Sequence, residues 1–374
     1  MTKILITTGI YPPDIGGPAT YSKLLFDKLP KRGIGVEVLS FGEVRNLPKI
    51  IRHFVYFFKV LKRAKGVDVI YAQDPVSVGL PTMLANKFLR KKFFIRIAGD
   101  YAWEQGVQRF GVKDDLDTFS LKKGYGFFVK LFKKIQVCVA KRADQVIVPS
   151  HYFKTIIVNW GIQPEKIKVI YNGIKINEST QLNKRINGLK KSKVHKVESK
   201  VLLSVGRLVP WKGFKELIET IPDILQEISE VKLVIVGSGP QKEELEKTIV
   251  ELDLQEKIIL MGQLSKKEVL EYMKKSDIFV LNTRYEGFAH LLLEASNTRV
   301  PIITTNIGGN PELIKNNQEG ILIEPNDKEG IKNAVVKILQ DNTFREKIIQ
   351  NAFNKSKQFS IQNTLDNLEK LLVQ

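Results

Sequence analysis

Residues 277–297, DIFVLNTRYEGFAHLLLEASN, open as a short β-rich apolar run and close as an apolar helical pattern. A strand over 277–282, a loop, and a helix over 288–297 satisfy both periods. The same alternation runs outward in both directions. Downstream stand VPIITT (300–305) and GILIEP (320–325); upstream stand KIILMG (257–262), KLVIVGSG (232–239) and VLLSVGRL (201–208). Further towards the N-terminus, KILITTG (3–9), GVEVLSFG (35–42), DVIYAQD (68–74), FFIRIAG (93–99) and QVIVPS (145–150) form a second series. Strands separated by amphipathic helices make parallel sheets, so the fold class is α/β with two doubly wound domains and a cleft between them. The expected division is a first domain over 1–175, a polar basic linker or surface loop over 176–200, and a second domain over 201–358. A closing helix from about 359 to 374 is expected to pack back on the first domain.

The chain has 374 residues, 43% of them hydrophobic, which is enough for two cores of ordinary size. A single cysteine, Cys138, excludes an internal disulfide, and no Cys/His cluster has metal-ligand spacing. The N-terminal apolar run is too short for a signal-peptide core and no apolar stretch is long enough to span a bilayer, so a cytoplasmic protein is expected. The net charge of +19 is uneven. Residues 1–175 carry 30 Lys and Arg against 13 Asp and Glu, whereas 201–374 carry 22 against 25. The first half is therefore expected to face something anionic.

Ligands of doubly wound sheets sit beyond the carboxyl ends of the strands. After the strand at 201–208, Gly206 is followed by Arg207 and Lys212 across a Pro-Trp turn. A planar guanidinium and a mobile ammonium suit a diphosphate, but they also suit an ordinary solvated turn. Gly237 and Gly239, one strand later, lack nicotinamide-fingerprint spacing; they are either points of close ligand approach or a plain strand-to-helix turn. In the opening stretch, Glu286 falls in the loop and Gly287 omits a Cβ that would block a ligand. The amides of Phe288, Ala289 and His290 are expected to open the helix toward an anion or sugar oxygens. Glu294 lies amid leucines, where an unpaired carboxylate is costly and the vicinal hydroxyls of a ribose would satisfy it. The bland alternative is a capping acid plus a salt-bridged helix acid.

Taken together, YPPDIGGPATY (11–21), VGRLVPWKG (205–213), VIVGSGP (234–240), SDIFVLNTRYEGFAHLLLEA (276–295) and TNIGGNPELI (305–314) resemble, in order and spacing, the retaining glycosyltransferases of family 4. The resemblance covers nearly the whole chain and implies the GT-B fold and transfer from a nucleotide-sugar donor with retained anomeric configuration, usually without a metal or other cofactor. It implies that Arg207 and Lys212 hold the donor diphosphate, Glu286 the transferred sugar and Glu294 the ribose. Gly16 and Gly17 would approach phosphate and sugar from the other domain, and the backbone at Gly262 would meet the base. Where the family often has a histidine, this chain has Ala98 and Gly99, followed by GDYAWE. Asp100 is then a candidate to orient the reacting sugar, or simply a loop acid in a turn. Asp14, Tyr101, Trp103 and Glu104 are assigned to the acceptor. His290 could touch the sugar or merely stand at a helix start.

Two basic amphipathic helices are expected in the first half, over 49–65 and 124–142. In the first, Ile50, Ile51, Phe54, Phe57, Phe58 and Leu61 share a stripe. The stripe is expected either to pack on the sheet below solvated cations or to accompany cations that face anionic lipid. The expected enzyme is a transferase acting on a carbohydrate or lipid-linked acceptor in glycan, polysaccharide or glycolipid synthesis, peripheral to the inner membrane face. A soluble transferase making a small glycoside and a catalytically silent nucleotide-sugar binder are the competing readings. Nucleic-acid binding has only the basic charge in its favour.

Overall fold

The computed structural model describes residues 2–14, 16–176 and 199–373. The chain forms two compact units, Met1–Tyr171 with Gln362–Gln374, and Asn172–Ile361. Most of the expected basic linker, residues 177–198, lies outside the described residues.

The first unit holds a parallel sheet of β1 (Lys3–Thr8), β2 (Gly35–Ser40), β3 (Val69–Ala72), β4 (Lys92–Arg96), β5 (Gln145–Val148) and β6 (Ile167–Val169), in the order β2-β1-β3-β4-β5-β6. β6 has three residues, too few to show a pattern in the sequence. The second unit holds β7 (Lys200–Val205), β8 (Val231–Val236), β9 (Ile258–Gly262), β10 (Ile278–Leu281), β11 (Ile302–Thr305) and β12 (Ile321–Ile323), in the order β12-β11-β10-β7-β8-β9. Near-continuous Val, Ile and Leu runs are what a parallel sheet covered on both faces requires. Every residue of β10 and of β11 is accordingly buried.

The order of the second sheet decides where its ligand belongs. The chain winds outward from β7 through β8 to β9, then returns to the other flank of β7 as β10, with Ile278 opposite Leu202 and Phe279 opposite Leu203. Connections leaving β7 and β10 diverge to opposite faces, and a crevice opens beyond their carboxyl ends. The loops that meet there are 206–213 and 282–289.

The helix Lys49–Arg63 sits differently from the sequence expectation. Its buried stripe is Tyr56, Val60 and the following Ala64, while Ile51, Phe54 and Phe58 are exposed. Hydrogen bonds explain the rotation. The Tyr56 hydroxyl donates to the carbonyl of Leu39 at 2.8 Å and the Arg63 guanidinium to that of Val38 at 3.0 Å, both on edge strand β2. The helix Phe127–Arg142 likewise buries Val129, Gln136 and Val139 and leaves Phe127 and Phe128 exposed.

The C-terminal helix, Ile361–Val373, contributes Leu365, Leu368, Leu371 and Leu372 to the core of the first unit. Arg32 grips it from the other side with ion pairs to Asp366 at 2.7 Å and Glu369 at 2.6 Å.

Candidate active site

The two crevice loops of the second unit are tied together by hydrogen bonds from side chains and backbone of one to the backbone of the other. The Asn282 side chain donates to the Gly213 carbonyl at 3.0 Å and accepts from the Asn326 amide at 3.1 Å. The Trp211 carbonyl accepts from the Thr283 hydroxyl at 3.0 Å and from the Arg284 amide at 2.7 Å. Gly213 has φ 59°, the left-handed region, and a Cβ there would collide with Asn282. The turn that carries Lys212 is thus fixed relative to the loop that carries Glu286. Their side chains meet: Lys212 Nζ lies 2.6 Å from Glu286 Oε2, both mostly buried. From a third loop, after β11, the Gly309 amide donates to the Glu286 carbonyl at 3.0 Å. Arg207 is exposed, and among the described residues its side chain has no ion pair or hydrogen bond. A paired cation, an open cation and a carboxylate therefore line one strand-end crevice.

The helix of the opening stretch begins at His290, two residues later than expected. Phe288 and Ala289 lie in the loop before it, with Ala289 extended at the cap position, so they are not residues of its first turn. Glu294 is the fifth helical residue, just over one turn in, and buried to 9% exposure. It is also not unpaired. Lys266, first residue of the helix Lys266–Lys275, places its Nζ 2.6 Å from Glu294 Oε1 while the lysine side chain stays 63% exposed. A ribose at Glu294 would have to displace or share this mobile partner. Nothing in the sequence pointed to Lys266, because it comes from a separate polar helix.

Gly237 and Gly239 have a structural reason that needs no ligand. A Cβ on Gly237 would strike the Gly206 carbonyl and one on Gly239 the backbone of Leu208, so both glycines let the β8 loop close on the β7 loop. They support the Arg207–Lys212 turn from behind. Gly262 differs: it has φ 70° with open space where a Cβ would stand, and its carbonyl accepts from the Gly237 amide at 2.9 Å.

In the first unit, Asp100 is a fully buried N-cap of the helix Tyr101–Arg109. Its Oδ1 accepts from the Trp103 amide at 2.9 Å and from Gln136 Nε2 at 3.0 Å, and Oδ2 has no hydrogen-bond partner among the described residues. Burial raises its pKa above the usual carboxylate value. This geometry favours the turn acid over the sugar-orienting residue. Trp103 does not fit the acceptor role expected of it, for its ring is buried and its indole N–H donates to the Asp114 carbonyl at 2.9 Å. Tyr101 packs edge-on to Phe132, and Glu104 stands in the first turn of the same helix. Asp14 makes a two-armed pair with Arg45, at 3.0 and 2.7 Å, which lowers its pKa. Gly16 caps the helix Gly17–Lys28, and nothing lies within 4 Å of where a Gly17 Cβ would be.

The sequence matches the profile described as Glycosyltransferase Family 4 over residues 15–178, and the one described as Glycosyl transferases group 1 over 186–355. A glycosyltransferase of Methanocaldococcus jannaschii is 33% identical, across 94% of this chain and 92% of its own. The chain belongs to glycosyltransferase family 4. This family 4 glycosyltransferase is also similar to an Escherichia coli UDP-Gal:alpha-D-GlcNAc-diphosphoundecaprenol alpha-1,3-galactosyltransferase, 27% identical over 83% of this chain and 77% of that one. Among solved structures it matches Anabaena HepE in complex with UDP-glucose, with TM-score 0.75 and 21% identity, each chain covered completely. Its fold is GT-B.

Proposed function

We propose that this enzyme is a retaining transferase that moves a sugar from a nucleoside-diphosphate sugar to a hydroxyl of a lipid-linked glycan or polysaccharide precursor. The observation that carries the reading is the Lys212–Glu286 pair at the β7/β10 crevice, with Arg207 open beside it. When the donor binds, its diphosphate attracts Lys212 and Arg207, and Glu286 is released to accept hydrogen bonds from sugar hydroxyls. Glu294 exchanges Lys266 for the ribose. In the transfer step the acceptor oxygen bonds to the anomeric carbon on the face from which the diphosphate departs, so configuration is retained. The departing diphosphate oxygen takes the acceptor proton, and Arg207 and Lys212 stabilise its growing negative charge.

A lipid-linked acceptor is supported by the diphosphoundecaprenol-linked sugar in the name of the E. coli relative and by the basic first half of this chain. It places the enzyme on the cytoplasmic face of a membrane, its first unit toward anionic lipid. The test is a panel of UDP-, GDP-, ADP- and dTDP-sugars, read as thermal stabilisation and as transfer to polyprenyl-diphosphate-linked sugars. One donor class should both stabilise and turn over. Stabilisation without turnover on any acceptor would make the protein a silent binder, and turnover only on soluble acceptors would remove the lipid.

A further inference from the structure

Three helices of the first unit lie side by side: Lys49–Arg63 packs on Gly79–Leu89, which packs on Phe127–Arg142. Together they contain eleven Lys and Arg and no Asp or Glu. Their outward faces are also unusually apolar. Phe54 is 67% exposed, Phe58 54%, Phe88 75%, Phe127 74% and Phe128 54%. The rings cluster: Phe54 and Phe58 are 5.5 Å apart, Phe57 and Phe88 6.2 Å, and Phe127 and Phe128 5.5 Å. Every exposed large hydrophobic phenylalanine of the described chain belongs to the first unit; the second unit exposes only Val250, Leu252 and Ile259 in this class.

We infer that these three helices form a bilayer-inserting surface, with the phenylalanines entering the acyl boundary and the lysines seated among anionic headgroups. Among the described residues Lys62, Lys87, Lys130 and Lys134 have no ion pair, so their charge is available to the lipid. Two groups of exposed rings, Phe54, Phe58 and Phe88 on one side and Phe127 and Phe128 on the other, call for a partner in water. A second copy of the chain would set one net basic face against another, with Glu43 and Glu37 already paired to Lys59 and Arg63, a repulsive match, whereas an anionic bilayer complements both the charge and the rings. The inference rests on the membrane-side reading above but adds a distinct term. Electrostatic attraction alone is screened by salt, whereas buried aromatic area is not.

The experiment uses the full chain with phosphatidylcholine vesicles, with and without phosphatidylglycerol, across a salt series. The wild type should bind the anionic vesicles and keep part of that binding at high salt. Phe54→Ser and Phe88→Ser should each remove about tenfold of the salt-resistant binding while leaving donor turnover in detergent unchanged. In a second measurement, fluorescence of a Phe54→Trp variant should shift to the blue and be quenched by brominated acyl chains. Binding that salt abolishes and the Phe variants do not alter would overturn insertion yet leave the membrane reading standing. Absence of binding at low salt would overturn both. A wild-type dimer turned monomeric by Phe54→Ser, with vesicle binding unaltered, would assign the surface to a second copy.

Discussion

Lys212 and Glu286 neutralise each other until a ligand offers each a different partner, and this makes their substitutions informative. On the proposed mechanism, in which each stabilises charge at the leaving oxygen, Lys212→Ala or Arg207→Ala should lower kcat by on the order of a hundredfold. Unchanged turnover in both would remove them from the diphosphate site. Glu294→Gln should chiefly weaken the nucleoside diphosphate, common to donor and product, and Glu286→Gln should spare that affinity and reduce transfer. Equal losses of nucleotide affinity, measured by calorimetry, would contradict the division. Asp100 gives a third test. Asn caps a helix as well as Asp does, so Asp100→Asn should keep turnover within a few-fold, whereas Asp100→Ala should lose about 1 kcal/mol of stability. Because burial raises the folded pKa of Asp100, the native state binds its proton more tightly than the unfolded chain. Between the unfolded and folded pKa values, wild-type stability therefore rises relative to Asp100→Asn as pH falls. Thermal unfolding of both proteins over a pH series reads the sign; a gap that widens on acidification in favour of Asn would refute it. The roles of Glu286 and Glu294 rest on the family resemblance; their places, one in the loop after β10 and one on the helix that follows, were legible from the strand and helix periods. Lys266 and the burial of Trp103 were not, because each depends on a contact with a residue distant in sequence or on packing depth, which composition cannot report.

At the level of elements, the site is a junction of three strand-end loops held by glycines and amides rather than by side-chain packing. Gly237→Ala should cost about 2 kcal/mol or more, because the new methyl must push the Gly206 backbone and with it the Arg207 turn. Gly262→Ala meets open space and bears only the left-handed strain, about 1 kcal/mol. Chemical denaturation midpoints rank the two, and an equal cost would show that the β8 loop does not brace the β7 loop. The strands themselves were readable, since the short apolar β-rich runs picked out from the sequence occupy eleven of the twelve strands observed among the described residues. The face that a helix buries was harder. For Lys49–Arg63 the apolar stripe pointed one way, while the Tyr56 and Arg63 hydrogen bonds to β2 turned it the other. Hydrophobic periodicity locates a stripe without saying whether protein or something else covers it.

At the scale of the molecule, the first unit is discontinuous in sequence. Its last helix supplies four buried leucines and the acids that pair with Arg32. Removing residues 362–374 should cost the first unit roughly 6 kcal/mol or more, at about 1.5 kcal/mol for each leucine, comparable with the whole stability of a domain. Hydrogen exchange should then show protection lost across residues 1–171 and kept in 199–361. Uniform protection in the truncated protein would mean that the helix is only peripheral.

The interleaving also sets a schedule for biosynthesis. Residues 172–361 leave the ribosome as one uninterrupted block and can fold as soon as they emerge, whereas residues 1–171 are translated first and completed last. At ~5–20 residues per second, the nascent first unit waits roughly 10 to 40 seconds for its closing helix. During that interval the cleft meant for four leucines stands open on a tethered, half-finished chain, and a chaperone that shields it has a window set by the length of the intervening block.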